Sequence, residues 1–181
     1  MMVRCFIALD LPREAINYVK DIQKLIGKQN LFTGKFTEPE NLHLTLKFLG
    51  EISEEQVEEV KERLKKIKFS VFEAELGEVG TFSKKFIRII WMKLKNCGKL
   101  QKQVDEALGD LFEPEFRFMG HITIARVKRV GDRKGLIDYV KHMKTKIIKF
   151  KVGCFFLKKS ELAPEGPVYE DLEEYKLVEK K

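Results

Sequence analysis

The sequence predicts a bilobed, internally duplicated fold whose sheets have helices on one face and are open on the other. Two observations lead to this prediction. The order strand-helix-strand-helix-strand occurs twice, and the middle strand of each unit carries the same tetrapeptide pattern. Because no Pro-, Gly- or Ser-rich linker separates the units, we expect one domain over residues 1–181, with repeats over about 1–80 and 85–178.

Hydrophobic periodicity defines the elements of the first unit. Apolar residues recur at helical spacing after Pro12, and Ser53-Glu54-Glu55-Gln56 is a capping-box pattern that begins a second helix. Alternation after Phe69 indicates a strand with one face in water. The predicted elements are a strand over Arg4–Leu11, a helix from Pro12 to about Gly27, a strand over Asn41–Gly50, a helix from Ser53 to about Lys66 and a strand over Phe69–Val79.

The second unit repeats this order and adds one strand at its end. Its predicted elements are a strand over Phe86–Leu94, a helix over Lys99–Leu111, a strand over Gly120–Val130, a short helix over Gly135–Met143, a strand over Ile147–Leu157 and a final strand over about Val168–Val178.

The charge balance is compatible with two interpretations. The chain has 35 Lys and Arg against 28 Asp and Glu, a net charge of +7. Such an excess suits a polyanionic partner such as RNA. The chain is also rich in Lys and Glu and poor in Asn and Gln, a thermophile-like composition in which surface ion pairs account for many charges.

Cysteine content and hydropathy bound the class of protein. The three cysteines lie far apart with no CxxC pair, which excludes a disulfide framework and a cysteine-rich zinc site. No apolar run approaches the roughly 20 residues of a membrane helix. The sequence therefore predicts a soluble cytoplasmic protein without a membrane partner.

The two tetrapeptides are His43-Leu44-Thr45-Leu46 and His121-Ile122-Thr123-Ile124. Side chains alternate along a strand, so each histidine shares a face with the threonine two residues on, roughly 6.5–7 Å away. If the lobes face each other, the two histidines flank one phosphate from opposite sides. The threonine hydroxyls can then donate hydrogen bonds to its non-bridging oxygens.

Two imidazoles around one phosphorus suggest acid-base chemistry. Since free imidazole titrates near pH 6.5, one ring can accept a proton while the other delivers one. A lone histidine is more often a buried, hydrogen-bonded ring, but the matched pair argues against that explanation. Two histidines without a carboxylate or cysteine cluster do not form a metal-ligand set, and we predict none. His142, in a Lys-rich helix, is expected at the surface.

The chain resembles the two-histidine (2H) phosphoesterases, and within them the RNA 2',3'-cyclic phosphodiesterases once called 2'-5' RNA ligases. The resemblance covers nearly the whole chain. It rests on Arg4-Cys5-Phe6-Ile7-Ala8-Leu9, on the segment Pro39 to Gly50, on Gly120-His121-Ile122-Thr123-Ile124-Ala125-Arg126, and on the tail from Ser160 to Tyr169. The tetrapeptides identify the superfamily, and their flanks point to this member.

The resemblance implies an α+β fold with two mainly antiparallel sheets facing a central cleft, helices on the outside and both tetrapeptides lining the cleft. It also implies hydrolysis of a terminal 2',3'-cyclic phosphate on RNA to a 2'-phosphate, without metal, ATP or other cofactor. By the family's usual assignment, His43 is the proton donor to the leaving 3' oxygen and His121 is the proton acceptor that activates water. An RNA 5'-hydroxyl in place of water would give a 2'-5' bond. We expect a monomer acting on RNA with a cyclic phosphate end.

Several other residues are candidates for binding substrate. Arg126 suits a phosphate, yet alternation turns it toward the helices unless the strand bulges near Ala125. A structural salt bridge is the alternative. Lys47, two residues beyond Thr45, shares its face by alternation, but we expect it to be a solvated lysine at a strand end. The aromatic residues that could stack on a base are Phe82, Phe86 and Phe118, although most phenylalanines must be core.

Two other functions fit the same residues. One is a phosphodiesterase for another cyclic or oligonucleotide phosphate, because the tetrapeptides do not distinguish these substrates. The other is a non-catalytic module that binds RNA ends.

Overall fold

A computed structural model describes residues 1–164 and 166–179, so the last two residues of the predicted domain lie outside it. The strands are β1 (Met2–Asp10), β2 (Phe32–Phe36), β3 (His43–Ser53), β4 (Phe72–Thr81), β5 (Ile89–Lys95), β6 (His121–Val130), β7 (Ile148–Val152), β8 (Cys154–Ala163) and β9 (Gly166–Lys176). The helices are α1 (Arg13–Gly27), α2 (Glu54–Leu64), α3 (Gly98–Ala107) and α4 (Arg133–His142), with a 3-10 turn at Pro39–Asn41.

The strands form two antiparallel half-sheets joined edge to edge. The strand order is β7-β4-β5-β6-β3-β1-β8-β9, and β2 pairs with the far end of β6. The first half-sheet comprises β3, β1, β8 and β9, and the second comprises β7, β4, β5, β6 and β2. Between β3 and β6 there is one ladder pair, Leu44 with Ile122. The predicted α+β class and antiparallel pairing are confirmed.

Each half-sheet takes strands from both halves of the sequence. β4 follows β3 and α2 in the chain, yet it pairs with β5 of the second half-sheet. In the second half of the sequence, β8 comes after β6, α4 and β7, but it pairs with β1 of the first half-sheet. The lobes are therefore composite and do not coincide with repeats over about 1–80 and 85–178. This exchange joins the two halves of the sequence through ladder hydrogen bonds.

The helices cover one face of the sheet and leave the other open. α1 packs on β6, α2 and α3 pack on β3, and α4 packs on β4. In α1 the residues at helical spacing, such as Val19, Ile22 and Ile26, are buried as predicted. Ser53 accepts a hydrogen bond from the Gln56 backbone N–H and completes the capping box of α2. The face opposite the helices holds both histidines.

Two details of the predicted element order are wrong. β2 was not predicted, since three of its five residues are exposed and they show no alternation. The single strand expected over Ile147–Leu157 is two strands, because the chain turns at Gly153 from β7 into β8. Among the helices within the described residues, none is both long and apolar enough to cross a membrane.

Candidate active site

The two tetrapeptides cross where the half-sheets meet. Leu44 and Ile122, the second residue of each motif, are directly paired and fully buried against the helices. The side chains on the opposite face beside this pair are His43, Thr45, His121 and Thr123. Because the pair is antiparallel, His43 lies beside Thr123 and Thr45 beside His121. The structure thus brings the four predicted side chains together around an approximate twofold axis.

Both strands bulge just after the motif. One residue past each threonine, the register against the neighbouring strand slips by one, at Leu46 in β3 and at Ile124 in β6. A bulge of this kind reverses the face on which the following side chains lie. Phe48 and Arg126, at equivalent positions of the two strands, therefore lie on the open face, whereas Lys47 turns toward the helices.

Equivalent backbone hydrogen bonds orient the two rings. Nδ1 of His43 donates to the carbonyl of Asn41, and Nδ1 of His121 donates to the carbonyl of Met119, each at 2.8 Å. Since a carbonyl only accepts, Nδ1 carries the proton and Nε2 is the exchangeable position. Nε2 of His43 lies 3.1 Å from Oγ1 of Thr45. Each ring can thus take up or release a proton at Nε2 without losing its anchor.

Glycine precedes His121 because two strands approach closely there. A Cβ at Gly120 would lie 2.3 Å from the carbonyl oxygen of Leu94, and Leu94 donates its N–H to the Gly120 carbonyl at 2.9 Å. On the other side, Asn41 closes the 3-10 turn before His43, and its side chain donates to the Pro167 carbonyl at 3.0 Å. Each histidine therefore follows a segment whose backbone is fixed by tertiary contacts.

The surroundings of His43 disfavour its charged form. Burial lowers the pKa of His43 below its ordinary value, and the nearby charges of Lys158 and Arg126 act in the same direction. The hydrogen bond to Asn41 and the charge of Asp10 oppose this shift. Lys158 itself is buried and pairs with Asp10 at 3.0 Å and with Asp171. His43 is thus predominantly neutral at neutral pH when no anion is bound.

Aromatic rings flank both histidines. The ring centroids of Phe6 and Tyr169 lie 5.0 and 5.1 Å from that of His43. Phe82 meets His121 edge-on at 4.8 Å and is 55% exposed. The two sides nevertheless differ, since the 73% exposed Phe48 occupies the place that Arg126 takes in the other strand. The backbone around the two histidines is therefore nearly twofold symmetric, but the side chains differ, with an apolar ring in β3 where β6 has a cation.

The family follows from comparison with known proteins. A family model described as LigT-like phosphoesterase matches residues 9–91 and 94–169. The chain belongs to this family. The RNA 2',3'-cyclic phosphodiesterase of Methanocaldococcus jannaschii is 34% identical over 96% of this chain and 100% of its own. That of Archaeoglobus fulgidus is 36% identical over 94% of this chain and 98% of its own.

A solved structure has the same fold. The protein TT0787 of Thermus thermophilus matches with a TM-score of 0.82 at 26% identity, and the match covers 98% of this chain and 100% of that one. The family predicted from the tetrapeptides and their flanks, and with it the phosphoesterase class, is confirmed.

The structure decides between the alternatives for Arg126 and overturns the expectation for Lys47 of this LigT-like phosphoesterase. Arg126 lies on the face of His121, because the strand bulges at Ile124, next to Ala125. It forms no salt bridge, since no carboxylate of the described residues lies within 4.0 Å of its guanidinium. Lys47 is not solvated at a strand end but buried, with Nζ bonded to Asp105.

The three candidate stacking residues have different environments. Phe82 lies beside His121, Phe86 is exposed on the segment before β5, and Phe118 packs against the core. His142 is exposed, as expected.

Residues that the motif analysis missed support the site from distant parts of the chain. Gln23 of α1 is buried, and its side-chain N–H groups donate to the carbonyls of Thr37 and Ile124 at 2.8 and 2.9 Å. It thus holds the bulge in β6. Tyr169 arrives from β9. No periodicity marked either residue, although the resemblance included Tyr169 at the end of the segment from Ser160 to Tyr169.

Proposed function

We propose that this protein hydrolyses the terminal 2',3'-cyclic phosphate of RNA to a 2'-phosphate by acid-base catalysis with His43 and His121. The observation that carries the proposal is the crossing of the two motifs at Leu44 and Ile122, which sets both Nε2 atoms on one open face. The names of the archaeal relatives support the choice of substrate.

In the proposed reaction, Nε2 of His121 accepts a proton from water while the water oxygen attacks phosphorus. The bond from phosphorus to the 3' oxygen breaks, and Nε2 of His43 donates a proton to that oxygen. Thr45 and Thr123 donate hydrogen bonds to the non-bridging oxygens, and Arg126 attracts the charge that they carry. One proton passed from His121 to His43 through solvent restores the starting state.

The depressed pKa of His43 fits a donor that is charged only when substrate is present. An anionic phosphate beside the ring favours the imidazolium form and opposes the effects of burial, Lys158 and Arg126. Substrate binding thus favours uptake from solvent, at Nε2 of His43, of the proton that the leaving oxygen requires.

The same geometry supports 2'-5' ligation. If the 5'-hydroxyl of a second RNA replaces water, His121 deprotonates it and expulsion of the 3' oxygen leaves a 2'-5' phosphodiester. Relief of strain in the cyclic phosphate drives the reaction, so the step needs no nucleotide. The reverse reaction uses the same two groups with their roles exchanged.

We expect a short RNA ending in a 2',3'-cyclic phosphate to be converted to the 2'-phosphate at an unchanged rate in excess EDTA. The reason is that both proton transfers use side chains alone. Separation of the products by chromatography against 2'- and 3'-phosphate standards tests this. A 3'-phosphate product would contradict the regiochemistry. Binding without any product would favour an RNA-end-binding module, and turnover only of other cyclic phosphates would favour the alternative substrate class.

Lys158→Met is expected to raise the pKa of His43. The change removes a positive charge that lowers this pKa and frees the charge of Asp10, which raises it. An NMR titration of the His43 ring measures the shift. The matched control is Lys159→Met, because Lys159 lies opposite Cys5 on the helix-bearing face. An unmoved midpoint in Lys158→Met would show that burial alone sets the pKa.

A further inference from the structure

The net charge of the chain is concentrated in two segments. Residues 84–88 and 126–134 together hold eight of the 35 Lys and Arg residues and one of the 28 acidic residues. The rest of the chain therefore has 27 of each sign, and the whole excess of +7 arises in these segments. We call their cations the basic strip: Lys84, Lys85, Arg88, Arg126, Lys128, Arg129, Arg133 and Lys134.

The fold joins the two segments into one surface that starts at the site. The N–H of Val127 donates to the Arg88 carbonyl at 2.8 Å, so the segment before β5 runs beside β6. Past Arg126, a second slip in register, between Thr33 and Gly34 of β2, leaves both Lys128 and Arg129 exposed. The strip thus continues along β6 away from the histidines.

Two open grooves follow the strip. The first, of about 870 Å³, has Arg126, Lys128 and Arg129 in its lining, and the second, of about 430 Å³, has Lys85, Arg88 and Arg133. The grooves are consecutive, because one contains Arg129 and the other the next residue of β6, Val130.

Ion pairs with nearby carboxylates do not account for the cations of the basic strip. Elsewhere on the described surface, some lysines and arginines pair with carboxylates, as Arg63 does with Glu59 and Lys149 does with Glu73. Within residues 1–164 and 166–179, no carboxylate oxygen lies within 4.0 Å of any cation of the strip. Of the two interpretations of the charge, surface ion pairs account for part of the balanced remainder. The strip instead suits a ligand with several negative charges in a row.

The strip also offers an aromatic surface, which favours a single-stranded nucleic acid over an acidic protein segment. Phe86 is 68% exposed in the second groove, and Nζ of Lys85 lies 5.5 Å from its ring centroid. Exposed aromatic rings among cations stack on unpaired bases while the cations neutralise phosphates.

The direction in which the basic strip runs from the site indicates which part of an RNA substrate would lie along it. Antiparallel pairing at Leu44 places β6 beyond Thr123 on the side of His43, and the charge of Arg126 lowers the pKa of His43. His43 is the donor proposed for the 3' oxygen, which belongs to the ribose of the cyclic end. The nucleotides that precede this ribose therefore leave the site on the side of Arg126. The opposite end has Phe48 at the equivalent place.

We propose that the basic strip binds the phosphodiester backbone of the RNA strand that carries the cyclic phosphate, 5' to the reacting nucleotide. This inference rests on the proposed function for the position of the RNA end. It gives the protein a preference for oligonucleotides over a single cyclic nucleotide, and it locates the residues responsible outside the catalytic pair.

The test compares two substrates in two doubly substituted variants. Lys128→Gln/Arg129→Gln removes two charges of the strip, and Lys20→Gln/Lys28→Gln removes two exposed charges of α1 and its end. The substrates are a cyclic-phosphate-ended RNA of about ten nucleotides and uridine 2',3'-cyclic phosphate. We expect the strip variant to lose about tenfold in kcat/KM on the oligonucleotide and nothing on uridine 2',3'-cyclic phosphate. The slope of log kcat/KM against log salt should weaken by about 1.4.

Fluorescence anisotropy with the same oligonucleotide ending in a 3'-phosphate measures binding without turnover. An unchanged affinity and rate in the strip variant would overturn the inference, as would equal losses on both substrates or equal losses in the α1 control. A third outcome separates the two proposals. If the strip variant loses RNA affinity but even the unmodified protein turns over neither substrate, the inference about RNA binding stands and the proposed function is wrong.

Discussion

Replacement of either His43 or His121 by alanine is expected to lower kcat/KM for cyclic-phosphate-ended RNA at least about a hundredfold. Alanine removes the Nε2 that takes or gives the proton, while the ladders that position β3 and β6 are kept. Both rings lie on the open face, opposite the buried pair of Leu44 and Ile122, so the fold should survive. Initial rates on a short RNA give kcat/KM, and a thermal melt of each variant verifies folding.

His142→Ala is the matched control for these variants. It makes the same chemical change on α4, where the ring is exposed and Nδ1 donates to the Asp138 carbonyl at 2.9 Å. We expect its kcat/KM to equal that of the unmodified protein. The double variant at both catalytic positions should lose little more than the worse single one, since the two rings act as a unit. Rates near normal in both single variants would refute acid-base catalysis by this pair.

The fold was predictable as far as local patterns determine it. Helical spacing found the helices α1 to α4, and alternation found the strands that carry the motifs. The exchange of β4 and β8 between half-sheets was not predictable, because strand pairing depends on contacts distant in sequence. β2 was not predictable because Thr33, Gly34 and Lys35 are all exposed, so the segment shows no alternation of apolar and polar residues.

The candidate site divides in the same way. His43 and His121 were identifiable because a repeated motif on a strand specifies residue type, spacing and face at once. Alternation then failed for Arg126 and Lys47, and for one reason. A bulge inserts one residue into the ladder, and nothing in the sequence of either strand marks its position.

Lys47→Met is expected to lower the free energy of unfolding by about 3–5 kcal/mol. The side chains of Lys47 and Asp105 are 4% and 10% exposed, and Nζ also donates to the Glu113 carbonyl at 2.7 Å. Methionine keeps much of the side-chain volume but leaves the Asp105 carboxylate buried without its cation. Chemical denaturation measures the loss.

Two further variants isolate the charge as the cause. Lys149→Met removes an exposed partner of Glu73 and should cost no more than about 1 kcal/mol. Lys47→Met/Asp105→Asn should recover part of the lost stability, because the amide carries no charge while its oxygen can still accept from the Glu115 backbone N–H, now at 2.9 Å. If the double variant is as unstable as Lys47→Met, the loss of stability comes from altered packing and not from the unpaired charge of Asp105.

The pH dependence of this loss has a definite sign. Burial alone would raise the pKa of Asp105, but hydrogen bonds from Lys47, the Glu115 N–H and Gln101 outweigh it and hold the pKa below its ordinary value. A depressed carboxylate pKa contributes stability above the unfolded-state pKa near 4, and this contribution disappears as the pH falls through the folded-state value. In Lys47→Met the same carboxyl is buried without a cation, so protonation relieves the variant. The difference in unfolding free energy between the unmodified protein and Lys47→Met should therefore begin to narrow while the pH is still above about 4, because the carboxyl of the variant protonates first. It should go on narrowing until the pH is below the lowered Asp105 pKa of the unmodified protein. A difference independent of pH would exclude the ion pair as its origin.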